Sequence, residues 1–233
     1  MKTSLSIQAA QIAYFYTGID LSDKLKVAQT FQSRLGYALD GEPTILPIPN
    51  DAPLEIPRIM LQSKDNIHIC NIAGNRFDFI IRMPQGGDTI SIVDFRKELP
   101  KIVNDANLAL FNDLAIKSYR LGLIITYQDL PEMGGLPFIK KYFIGDIHDI
   151  SVETQIHKMS TGTLDKFKVN NWIRLIAKEN KLKTGKNPLT VVSDINTSLA
   201  EKYDLDAKLA QSYFADSFEL SLKTIEATIN KDN

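Results

Sequence analysis

Apolar residues alternate with polar ones in several short stretches of the chain, and elsewhere they recur every three or four positions. A period of two puts one row of a strand on a core and the other toward solvent, whereas recurrence at three and four does the same for one stripe of a helix. The first pattern predicts a strand over Ser6 to Tyr16. After the turn TGID, the second predicts a helix over Leu21 to Leu35, with Leu21, Leu25, Ala28, Phe31 and Leu35 on its stripe. Asp20 or Ser22 is expected to cap its start, and Gly36, in the left-handed conformation, to end it.

The next segment, ALDGEPTILPIPNDAPLEIPRI, carries Pro43, Pro47, Pro49, Pro53 and Pro57. Proline removes ladder donors and fixes φ, so this is a stiff, extended, peripheral connection rather than a central strand, with an interaction strap as the second reading. Alternation then resumes: Ile59 and Leu61 with Arg58, Met60 and Gln62; Ile67 and Ile69 with His68 and Cys70; Phe77, Phe79 and Ile81 with Arg76, Asp78 and Arg82. AGN reads as a hairpin turn using positive φ, and QGG as the loop before a helix, since no phosphate-loop lysine and no GxGxxG follows.

A helical stripe of Leu99, Val103, Ala106, Leu110 and Leu114 predicts a helix over 92–114, kinked or split at Pro100. A strand over 119–127 and a short helix near 137–143 complete residues 1–148. Residues 149–233 read as a strand from Val152 to Met159, a turn through STGTLDK, strands over 167–177 and 189–195, and a helix over 205–229. Hairpins outnumber crossovers. The expected class is therefore α+β: antiparallel meandering sheet with long amphipathic helices packed on one face, in two loosely similar halves packed as one unit.

Certain of these stretches carry a resemblance. NRFDFIIR, the helix DFRKELPKIVNDANLALFNDLAI running into YRLGLIITYQDL, and LTVVSDINT ahead of QSYFADSFELSLKTIEATI, with the proline-rich segment, resemble a sporadically distributed bacterial family of uncharacterised proteins of similar length. The resemblance covers most of the chain. It implies a bacterial setting tied to mobile elements or defence, and it brings no catalytic residues.

Composition narrows the chemistry. With 233 residues, 44% hydrophobic and 24% charged, the chain has an ordinary globular make-up, and its formal net charge of −1 predicts no polyanion partner from global electrostatics. Cys70 is the single cysteine, which together with the lack of a signal-peptide core or a membrane-length apolar run predicts a cytoplasmic protein. No cofactor motif is present, and none is expected to be needed.

Three clusters invite functional readings. His148, Asp149 and His157, with Asp146 and Glu153, are the densest set of metal-ligand types and suggest metal-assisted phosphodiester hydrolysis, against the plainer reading of a polar loop and strand face. His68 and Cys70 share a strand face about 7 Å apart, too far for a dyad unless they lean together, so Cys70 reads as a partly buried apolar residue. Trp172 lies among Lys168, Asn170 and Arg174, ahead of Lys178, Lys181, Lys183 and Lys186; this set would stack a base and meet phosphates, or else be a helix-covered indole and a solvated loop.

The leading expectation is a non-enzymatic accessory protein that binds another protein, within a defence or toxin–antitoxin-like system, with dimerisation through the C-terminal helix as a further option. The alternatives are a nucleic-acid-binding or nuclease-like module using the Lys178–Lys186 loop, and a small-ligand sensor with Tyr119, Tyr127 and Trp172 around a pocket.

Overall fold

The computed structural model describes residues 5–49, 51–84, 89–145, 153–178 and 187–229. Its elements run β1 (Ser6–Tyr16), α1 (Lys24–Leu35), β2 (Thr44–Ile45), β3 (Pro57–Gln62), β4 (His68–Ala73), β5 (Arg76–Arg82), α2 (Ile92–Asn107), β6 (Ser118–Asp129), α3 (Gly135–Ile139), β7 (Glu153–Leu164), β8 (Phe167–Lys178), β9 (Leu189–Thr197) and α4 (Ala207–Ile229). The described strands form one antiparallel sheet in the order β2-β3-β4-β5-β1-β6-β9-β8-β7. The fold is α+β, with the long helices α2 and α4 packed on each other and on the sheet.

That order is nearly symmetric about its middle. β1 and β6 lie side by side; β1 pairs on its other side with β5, the last strand of one meander, and β6 with β9, the last of the other. Counted from β1 and from β6 rather than divided at residue 148, each half is a strand, a helix, a meander of three long strands, to which the first half adds the two-residue β2, and a long helix. The correspondence reaches single residues. Tyr14 on β1 donates to Asn107 Oδ1 on α2 at 2.8 Å, and Tyr127 on β6 shares a 2.9 Å hydrogen bond with Ser221 Oγ on α4. Asn107 also donates to the Ala207 carbonyl, so one buried amide ties β1, α2 and the start of α4 together.

The core lies between the sheet and the helices. From β1, β5 and β6 the inward rows include Tyr14, Phe77, Phe79, Leu121, Leu123 and Ile125, all buried against Phe31, Leu99, Val103, Phe214 and Phe218. Phe138 and Ile139 of α3 join the same cluster. The apolar stripe of α4, including Phe214, Phe218, Leu222, Ile225 and Ile229, is spent inside the molecule.

Several local expectations are corrected. α1 starts a turn later than the apolar stripe suggests: Asp23 caps it by accepting from Lys26 N–H, Asp20 instead closes a turn on Ser22, and Leu25 is exposed. Gly36 ends α1 in the right-handed region, at φ −60°. The AGN hairpin turn is present, yet neither Gly74 nor Asn75 has positive φ. Gly74 is instead a close-approach site, where a Cβ would meet Leu54 Cδ2 at 2.8 Å. Pro100 lies inside a single α2, capped by Ser91, which continues as a π-helical turn over Leu108–Asp113. STGTLDK is mostly strand: β7 runs through Leu164 and the turn is Asp165–Lys166, with Asp165 at φ 50°. The threonines there suit a pleated surface better than a turn. QGG falls on residues 85–87, outside the described set.

In β4 the inward row is His68, Cys70 and Ile72, in register with Leu61 and Phe79, while Ile69 faces the other side. Isoleucine sits on both rows, so neighbours rather than alternation decide which is buried.

Candidate interaction surface

Because the described helices occupy one side, no described helix covers the other side of the sheet, the open face, and antiparallel register fixes what shares it. From Ile69 the register leads through Ile80, Gln11, Ile124 and Asp194 to Trp172 and then Met159. Trp172 and Met159 sit directly opposite each other on β8 and β7, 41% and 48% exposed. Direct cross-strand neighbours have Cβ atoms about 5 Å apart, so the two form one apolar spot. The expectation that a helix covers Trp172 is not met.

At the centre of the same face, Phe15 on β1 has the guanidinium groups of Arg76 and Arg120 over its ring, each 4.7 Å from the centroid. Arg76 and Gln11 both bond Asp78 at 2.8 Å. Arg120 donates to Asn196 Oδ1 and to the Thr197 carbonyl; Asn170 donates to the same Asn196 oxygen, and Asn196 donates to Asp194. These contacts hold long side chains in fixed poses, so a partner meeting this face has little side-chain entropy left to remove. Sequence reading missed the cluster. Arg76, Phe15 and Arg120 come from three strands, and only the register brings them together.

Arg174 faces the open side beside His157, its cross-strand partner. Lys178 pairs with Glu153 at 3.0 Å, and Lys168 with Glu201. Lys181, Lys183 and Lys186 lie outside the described residues. So do His148 and Asp149. His157 is on β7, 3.4 Å from Gln155 Oε1, and hydrogen bonds from Gln155 and Lys178 hold the Glu153 carboxyl below its ordinary range. Among the described residues no group of three metal-ligand side chains converges.

His68 and Cys70 both point into the helix-covered side. Glu98 on α2 meets His68 Nε2 at 3.2 Å, an orienting group the sequence did not reveal. Cys70 is wholly buried, and burial pushes its thiol well above the ordinary range, so it supplies no thiolate nucleophile near neutrality. Tyr127 and Trp172 lie on opposite faces of the sheet and line no common pocket. Between α2 and α4, beneath the Arg96–Glu219 ion pair, an apolar cleft of about 140 Å³ is lined by Leu99, Val103, Phe214 and Phe218. It is small beside the roughly 300–1,000 Å³ of ordinary ligand pockets.

Among the described residues no helix is long and apolar enough to cross a membrane. Comparison with protein-family models, curated proteins and solved structures finds no match to this chain.

Proposed function

We propose that this chain is an interaction protein whose described helix-free sheet face receives another protein, in keeping with the bacterial mobile-element or defence setting that the sequence resemblance implies. The observation carrying this reading is the exposed Trp172–Met159 pair, on the same face as the half-buried Ile69, Ile80 and Ile124 and set off from them by Asp194 within a fixed polar network. Aromatic and methionine side chains at the centre of a polar surround are the usual anchors of protein interfaces. The charges favour protein over nucleic acid. Arg76 is matched by Asp78, Lys178 by Glu153 and Lys168 by Glu201, and Asp194 stands directly beside Trp172. A phosphate backbone would meet a face on which three of the described cations are already held by carboxylates.

A photo-crosslinking residue at Met159, with Val93 on the helical side as control, tests this in cells of the native host. The expected result is one discrete adduct at Met159 with a protein other than a second copy of this chain, absent at Val93 and lost when Trp172→Ala is added. Equal labelling at both positions would end the proposal. A nucleic-acid adduct that disappears steeply with salt would favour the alternative, in which Trp172 stacks a base beside Arg174.

A further inference from the structure

The two outer edges of the sheet are finished differently. Beyond β3 the first half adds β2 and the proline-rich segment. Beyond β8 the second half ends at β7, and no described strand pairs with its outer side. β7 pairs with β8 from Glu153↔Lys178 to Leu164↔Phe167 without a register shift. It holds no proline, and its only full charges are Glu153 and Lys158. Proline, bulges, shortness and dense charge are the devices that keep an edge strand from pairing. β7 carries only one of them, a lysine.

We propose that the partner of this edge is a second copy of the chain, its β7 antiparallel to the first about a twofold axis at Met159, so that two sheets join into one. Self-complementarity selects the copy and the register. An axis at Lys158 would set that lysine against itself, and like charges directly opposite are destabilising. An axis at Met159 places Lys158 opposite Ser160, His157 opposite Thr161 and Ile156 opposite Gly162, with nearly the whole strand in the ladder, Thr154 to Leu164. Met159 then faces its own copy. The row Trp172–Met159 becomes a continuous apolar line across the junction, and the open face is doubled. An edge ladder is a small interface, so the dimer belongs in the micromolar range, on the order of 1–100 μM. The dimer uses the strand's edge and is told apart from the partner assigned to the open face by the adduct: a self-adduct at Met159 reports the dimer, an adduct with a different protein reports that partner.

Sedimentation of the full chain over that concentration range, combined with cysteine variants, tests this. Cys70 is wholly buried and leaves the background silent. Met159→Cys should give a disulfide-linked dimer under oxidised glutathione, because residues on the axis are within disulfide reach. Gln155→Cys should not, its two copies lying about 26 Å apart along the ladder. Ser160→Glu, opposite Lys158, should tighten the dimer several-fold, and Ser160→Lys should weaken it several-fold with an unchanged monomer melt. A chain that stays monomeric throughout overturns the proposal. So does a dimer that Met159→Cys fails to cross-link, that Gln155→Cys cross-links equally, or that ignores the charge at position 160.

Discussion

The two halves of the sheet share a plan and differ at their ends, and the difference separates what holds the fold from what is left for partners. At the β2 edge, Arg58 is only 4% exposed and has no carboxylate partner among the described residues; its guanidinium donates to the carbonyls of Ala52 and Ile56 at 2.9 and 2.7 Å, with longer bonds to Pro49 and Pro53. Prolines cannot offer N–H groups to their own loop, so the segment's surplus carbonyls gather around one cation. Gly74 N–H bonds the Leu54 carbonyl, and Asn75 reaches Glu55, fastening the same segment to the β4–β5 turn. At the β7 edge nothing comparable is present among the described residues. The first edge is closed by local chemistry; the second is presented.

If both halves serve one core, their buried acids should act together. Tyr14, Tyr16 and Cys70 from the first half and Tyr127 and Tyr213 from the second are all pushed above their ordinary range, chiefly by burial. A raised native pKa on such a group means that the folded state keeps a proton the unfolded state gives up. Stability is therefore intact below the unfolded values, about 8.5 for the thiol and 10 for the phenols, and is lost as pH rises past them, by up to about 1.4 kcal/mol per pH unit for each group. Urea midpoints from neutral to strongly alkaline pH should fall steeply. Phenolate absorbance and circular dichroism should change in one shared transition; separate transitions would show that the halves are independent.

The edge contrast has its own test. Arg58→Ala should cost about 2–4 kcal/mol in urea unfolding, because it strands several buried carbonyls at once. The counterpart on the other edge, Lys158→Ala, removes an exposed charge and should stay within about 0.5 kcal/mol. Similar costs at both edges would erase the distinction.

Between these in kind, though smaller, are the paired tyrosines. Tyr14→Phe leaves Asn107 Oδ1 buried without its donor and should cost about 1–3 kcal/mol. Tyr127→Phe should cost less, about 0.5–1 kcal/mol, since the Ser221 hydroxyl can rotate to a carbonyl in its own helix. Thermal melts of the two variants decide whether the symmetric positions are equally important.

Much of this architecture was legible along the chain. The bounds of β1, the order of the longer elements and the single long stripe of α2 follow from periodicity, because each has an apolar row with no rival, whereas the two-residue β2 lies in the segment read as a connection. Where both rows are apolar, as in β4, periodicity is silent, and Leu61 and Phe79 across the ladder make the choice. The twofold plan left no repeat in the sequence, since a helix face needs only apolar bulk: Val103 and Phe218 serve alike. Trp172 stood out as a candidate from its place on the polar row of its strand, beside Lys168, Asn170 and Arg174. Its companions did not, because Met159 is its neighbour only through the β7–β8 register, and Arg120 meets Phe15 only because β6 lies beside β1.

A small stability effect is expected at the residue to which most functional weight is given. Trp172 is a large aromatic, and burying such a ring in a core makes its truncation cost about 3–5 kcal/mol. Here it is 41% exposed on the open face, its cross-strand neighbours are Met159 and Asp194, and no described helix covers it. Trp172→Ala should therefore shift the unfolding midpoint by no more than about 0.5–1 kcal/mol, while removing an anchor worth 2 kcal/mol or more in a bound complex. Measured side by side, a stable fold and a lost adduct at Met159 would separate the two uses of the sheet within one strand: Leu175 and Val169 inward for the core, Trp172 outward for a partner. A large loss of stability would instead mean that the indole completes the fold, and the open face would lose its strongest claim to be a binding surface.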